Sequence, residues 1–285
     1  MNTTEIMNMA LDLAGITEIP PDSGVLVPGE NIKKVLFGLD IDTADILLAK
    51  QLGVDAVIGH HPAAGKSFVN FPQVMQRQID CMVSQGVPIN KAQRALAKRK
   101  EAVDIAQHVG NYDKIIQAAR LLEIPYMNIH LPADIVTNNI VAGYLFDRLG
   151  DKPKTILKDV LDILLEIPEY KHALTVPVIR VGSPDFYAGK IYVAMAGGTS
   201  GGAAVARAYF EAGIGTLITM HMPENDIKEL RELNLGNLIV AGHVASDSIG
   251  LNKLIASLED SGLNVIRING IVNVANEVSA TITKP

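Results

Sequence analysis

The feature that most constrains this chain is a rhythm of short apolar runs and helical segments. KKVLFGLD (33–40) is apolar, TADILLAKQLG (43–53) carries helical apolar spacing and stops at Gly53, and VDAVIG (54–59) is apolar again. Strand, helix and strand in that order predict a parallel sheet, because parallel neighbours need a crossover and the crossover helices cover the faces. The rhythm recurs in the second half. KIYVAMAGG (190–198) precedes a helix AAVARAYFEAG (203–213), then come GTLITMH (215–221), a helix around 224–234 and NLIVAGH (237–243). A helix to about Leu258 and NVIRING (264–270) complete it. A helix-rich stretch, roughly 73–122, lies between these portions, and 151–185 has weaker periodicity and several prolines. The expected fold class is α/β, with two associated lobes of mostly parallel sheet forming one unit over 1–285. The lobes are placed at about 1–145 and 186–285, with a connecting region at 146–185.

Composition narrows the function classes. The chain is 48% hydrophobic and 20% charged, a globular balance, and 25 basic against 31 acidic residues give a net charge of −6. No overall basic field draws nucleic acid or an anionic membrane. Cys81 is the single cysteine, so an intrachain disulfide and a thiolate metal cluster are both excluded. On its own it reads as a small buried apolar residue. The opening MNTTEIMNMALDLAG lacks a basic region and a long apolar run, and no stretch approaches the ~20 apolar residues of a membrane span. A cytoplasmic protein without membrane or nucleic-acid partners is expected.

Three apolar runs end in histidine: VIGHH, LITMH and LIVAGH. Ligands of parallel sheets collect beyond the carboxyl ends of strands, where histidines from different strands converge. His60 and His61 are adjacent, and successive residues of an extended chain point in opposite directions. The pair is therefore expected to serve two ions, one on either side, ~3.5–4 Å apart in a dinuclear site. His130 and Asp134 lie four residues apart in YMNIHLPAD, and His243 and Asp247 repeat that spacing where a helix begins. A carboxylate there can bridge two cations, although Asp134 also suits a plain turn and Asp247 an exposed acid at a helix start. His221, with Glu224 nearby, is a candidate proton carrier. In AMAGGTSGG, Gly197, Gly198, Gly201 and Gly202 lead a strand into a helix. They read either as a backbone cradle for an anion or cofactor, helped by the Thr199 and Ser200 hydroxyls, or as a tight turn. Asp42 is placed to cap helix 43–53 and Asp40 to support a metal ligand. Lys66 reads as solvated, and His108 and His172 carry no signal.

The ordered set GLDID, DAVIGHHP, IHLPAD followed by Asn138-Asn139, AMAGGTSGG and AGHVASDSIG resembles the Nif-three-like family of dinuclear-metal-centre hexameric proteins, also described as GTP cyclohydrolase I type 2 homologs. The resemblance runs from about residue 33 to 270. It implies metal ligands at His60, His61, Asp134, His243 and Asp247, with His130 a further motif histidine near the metals. It also implies a homo-hexamer. The chain departs from the family at Asp247, where a glutamate is usual, and lacks the family's Trp-Asp-Asn-Val-Gly run near its start. Two divalent ions bound by nitrogen and oxygen suit zinc, iron, manganese or cobalt. The function expected is that of a metal-dependent hydrolase acting on a nucleotide or another phosphorylated or cyclic small molecule, with His130 or His221 moving the proton. The alternative is a non-catalytic metal-binding or regulatory oligomer.

Overall fold

A computed structural model describes residues 1–150, 152 and 154–274, and in it the alternation resolves into two sheets. The chain opens with α1 (Thr3–Ala14), β1 (Gly24–Val27), β2 (Lys34–Gly38), α2 (Thr43–Leu52), β3 (Ala56–Gly59), α3 (Gly65–Val69) and α4 (Phe71–Val74). It continues through α5 (Gln76–Ser84), α6 (Ile89–Val109), α7 (Lys114–Leu121), β4 (Tyr126–Asn128) and α8 (Leu131–Leu149). Next come α9 (Leu157–Leu164), α10 (Pro168–His172), β5 (Val178–Val181), β6 (Ile191–Val193) and α11 (Gly202–Glu211). The last elements are β7 (Thr216–Thr219), α12 (Glu224–Leu233), β8 (Asn237–Val240), α13 (His243–Asp260) and β9 (Asn264–Ile268).

Two units divide these elements, and the chain passes between them more than once. The first comprises residues 1–74, 101–136 and 250–271. Its five-stranded sheet has the order β1-β4-β3-β2-β9, parallel throughout except for β1 against β4. The interior strands are apolar on both faces, as a covered parallel sheet requires. One face packs Phe37, Ile58 and Met127 with α1 and the end of α13, and the other packs Leu36, Val57 and Tyr126 with α2 and α7. Asp42 caps α2 as its position suggests, accepting hydrogen bonds from Ala44 N at 2.6 Å and Asp45 N at 3.3 Å, and Gly53 ends the helix at φ 60°.

The second unit comprises residues 75–100, 137–249 and the described residues from Val272 onward. Its four-stranded sheet runs β5-β8-β7-β6, with β5 antiparallel to β8 and the rest parallel. The lobe boundaries expected from sequence are redrawn here. Residues 146–185 are no connector: Leu157, Val160, Leu164, Ile167 and Tyr170 are buried in this unit's core, and β5 belongs to its sheet. The second correction concerns β9, which pairs with β2 in the first sheet rather than extending the second.

Candidate metal centre

In the first unit, β3 and β4 are parallel neighbours, and each delivers a histidine just past its carboxyl end. After Gly59 the chain bends, with His60 N donating to Gly38 O at 3.0 Å and His61 N to Leu39 O at 3.0 Å. A Cβ on Gly59 would stand 3.1 Å from Ile41 Cγ1, so glycine lets the strand end pack closely before it turns. After β4, Ile129 leads to His130, whose N–H donates to Ser23 Oγ at 2.9 Å. α8 then starts at once, with Asp134 N donating to His130 O.

The expected divergence of His60 and His61 does not occur. β3 ends at Gly59, so the alternation of an extended strand no longer applies, and the two rings lie side by side with centroids 4.8 Å apart. His130 stands 4.8 Å from His60 and 5.8 Å from His61, closing a triangle. One ring nitrogen of each histidine lies within 4.8 Å of those of the other two.

Each ring is held by its Nδ1. The partner is Ile129 O for His60 at 2.9 Å, Asp40 Oδ1 for His61 at 2.7 Å and Asp22 Oδ2 for His130 at 2.6 Å. An oxygen acceptor at Nδ1 places the proton there and puts the lone pair on Nε2, the arrangement that metal-binding histidines use. His60 Nε2 faces Asp134 Oδ1 at 3.5 Å, and His130 Nε2 lies 3.8 Å from Asp134 Oδ2. Asp134 is buried, and its Oδ1 has no hydrogen-bond partner among the described residues. A buried carboxylate oxygen facing imidazoles that carry their lone pairs toward it suits a cation. The donor set fits a divalent metal.

The second unit repeats the pattern. β7 and β8 are parallel neighbours leading to His221 and His243, whose rings are 4.7 Å apart. His243 Nε2 lies 3.3 Å from Asp247 Oδ2, four residues along α13. Asp247 is 1% exposed, so the alternative of a solvated acid at a helix start is set aside. His221 and His243 line a cleft of about 550 Å³ together with Arg180, Glu224, Lys228 and Arg231.

No family model matches the chain, and no curated protein does. Among solved structures, a NIF3 superfamily protein from Sphaerobacter thermophilus is 40% identical with a TM-score of 0.91, over 95% of this chain and 98% of that one. The chain belongs to the NIF3 superfamily. Reduced HcgD from Methanocaldococcus jannaschii (18% identity, TM-score 0.58, 94% of this chain and 97% of that one) shares its fold. So does TTHA1606 from Thermus thermophilus, at 19% identity and a TM-score of 0.56 over 96% of this chain and all of that one.

The glycine-rich segment of this NIF3 protein is not an open backbone cradle. Gln78 on α5 fills it, its Nε2 donating to Gly197 O at 2.7 Å, Thr199 O at 2.8 Å and Thr199 Oγ1 at 3.0 Å. A Cβ on Gly197 would come within 2.7 Å of Gln78 Cγ, and one on Gly201 within 2.5 Å of Gln78 Oε1. Gly198, Gly201 and Gly202 also sit at positive φ. The first turn of α11 is already served by a carboxylate, with Ala203 N donating to Asp226 Oδ1 at 3.0 Å beside Gly202. Gly197, Gly201 and Gly202 make room for protein side chains.

Asp22 is the residue the sequence does not disclose. Fully buried, it takes hydrogen bonds from Ser23 Oγ and His130 through its carboxylate and from Asn128 Nδ2 through its carbonyl. Its one cue is an acid just ahead of Gly24 and a short strand, and its partner lies 108 residues away. Lys66 is exposed on α3, as expected.

Proposed function

We propose that this protein is a metal-dependent hydrolase with a dinuclear centre, acting on a nucleotide or another phosphorylated or cyclic small molecule. The observation that carries this is the cluster of three histidines, each oriented through Nδ1 by an oxygen acceptor, two of which face the buried Asp134. The ligand set is His60, His61, Asp134, His243 and Asp247, the last two assigned by their motif and by the 3.3 Å contact between them. About two divalent transition-metal ions, zinc, iron, manganese or cobalt, would lower the pKa of a bound water and polarise the bond to be broken.

The protein's own residues do the rest. Asp22 fixes the His130 imidazole and stabilises it when protonated, so Nε2 can take a proton and return it. His221, in the cleft of the second unit, is the other candidate proton carrier. Arg180, Lys228 and Arg231 give that cleft a positive lining suited to an anionic substrate. A homo-hexamer in the cytoplasm belongs to the same proposal; no described helix is long and apolar enough to cross a membrane.

The test is elemental analysis of protein purified with metal present, followed by a broad hydrolase screen with an Asp134→Ala control. About two ions per chain are expected, with turnover lost in the variant. Turnover retained by Asp134→Ala would show that catalysis is not metal-centred. Two ions without turnover on any substrate class would favour the metal-binding or regulatory oligomer, whose mass light scattering would give.

A further inference from the structure

A second constellation lies wholly within the second unit and takes no part in the proposed hydrolysis. α5 and the glycine-rich segment, with the strands beside it, enclose a cavity of about 70 Å³. That is room for roughly five waters, or for one tetrahedral ion with little to spare. Its walls include Tyr192 and Tyr209, whose rings are 5.0 Å apart, and the aliphatic side chains of Val205 and Leu217. Arg77 is the one ionised side chain among the described residues lining it, with no carboxylate on the wall.

Three polar atoms on this wall are buried and have no hydrogen-bond partner among the described residues: Arg77 Nε, Ser200 Oγ and Gln78 Oε1. Gln78 is 7% exposed, and its amide orientation is fixed because Nε2 is already spent on Gly197 and Thr199. Its Oε1 can therefore only accept. Arg77 can only donate, and Ser200 can do either. Leaving such groups buried and unmet is unfavourable, so a ligand that meets all three is held by each of them. It must accept from a guanidinium, accept from or donate to a hydroxyl, and donate to an amide oxygen.

We propose that this cavity is a binding site for a phosphate-sized oxyanion that carries a proton, with hydrogen phosphate as its chemistry. Two of its oxygens accept from Arg77 and Ser200, and its P–OH donates to Gln78 Oε1. Arginine suits the charge because its donors form a fork that matches oxyanion geometry. Tyr192 stays a neutral wall, because burial and the neighbouring Cys81 thiol push its phenol well above the usual range. An anion here thus meets side chains, since the backbone amide at the start of α11 already serves Asp226.

Calorimetric titration of the purified protein with inorganic phosphate tests this, alongside glycerol 3-phosphate as a phosphomonoester. Saturable binding of about one phosphate per chain is expected, weakened about tenfold or more by Arg77→Gln and about three- to tenfold by Ser200→Ala. Asp134→Ala should leave it unchanged. Tighter binding of the monoester would support the site and make a metabolite's phosphate its source, and tighter inorganic phosphate would support it as a free-ion site. A cavity that holds only water gives no saturable binding of either probe, which overturns the proposal. So does binding lost in Asp134→Ala but retained in Arg77→Gln, which would place the phosphate at the metal centre. If Arg77→Gln does not fold, the Ser200→Ala affinity decides.

Discussion

The candidate centre depends on single atoms one step behind the ligands and the proton carrier. Asp22 fixes His130 through a 2.6 Å contact and is itself fully buried, so it cannot be replaced by solvent. Asp22→Asn keeps the shape but removes the charge that stabilises a protonated imidazole. It should lower turnover about 100-fold or more while leaving the metal content unchanged, read by kinetics and elemental analysis at constant pH. Tyr126 presents the opposite case. Its hydroxyl is buried near Gly59 and has no hydrogen-bond partner among the described residues, and burial, with Asp45 adding to it, pushes its pKa well above the ordinary value near 10. The folded protein therefore holds a proton that the unfolded chain releases above about pH 10, so stability is intact below that pH and falls as pH rises past it. Tyr126→Phe should raise stability by about 1 kcal/mol at neutral pH and flatten the alkaline loss, as urea melts at pH 7 and 10.5 would show. Much of the residue scale was legible: histidines after apolar runs and acids four residues on are local patterns. Asp22 was not, because its meaning depends on a partner 108 residues away.

At the scale of elements, glycines that look alike in the sequence do different work. Gly15 and Gly201 both adopt positive φ, at 67° and 74°. A Cβ at Gly15 meets nothing within 4 Å, whereas one at Gly201 would lie 2.5 Å from Gln78 Oε1 and 2.7 Å from Val205. Gly15→Ala should cost about 1–2 kcal/mol from the backbone alone. For Gly201→Ala chemical denaturation should show a larger loss, and equal losses would mean the Gln78 plug is soft. Local periodicity revealed α2, α11, α12 and their flanking strands within a few residues, because caps, glycine stops and apolar spacing are short-range signals. It could not say that Gln78, on a helix far upstream, fills the loop that reads either as an anion cradle or as a tight turn.

At the scale of the whole molecule, which strand joins which sheet is decided by pairing, and pairing leaves no periodic mark. β9 reads like the last strand of the second half, yet it zips onto β2 from Lys34↔Asn264 to Gly38↔Ile268. For the same reason 146–185 looks like a connector: its helices show their apolar faces only once the core they cover is known. Each sheet nevertheless follows one rule, with histidines just beyond the carboxyl ends of two adjacent parallel strands.

The pairing of β2 with β9 also bears on how the molecule is made. A ribosome emits β2, β3 and β4 early, but the strand that covers the outer edge of β2 leaves after every other described element. Until then β2 presents an apolar, unpaired ladder, the kind of edge that recruits other chains. Nascent chains halted before residue 264 should therefore associate or bind holdase chaperones, while chains extended past Ile268 should not, a difference that sedimentation of stalled translation products would reveal.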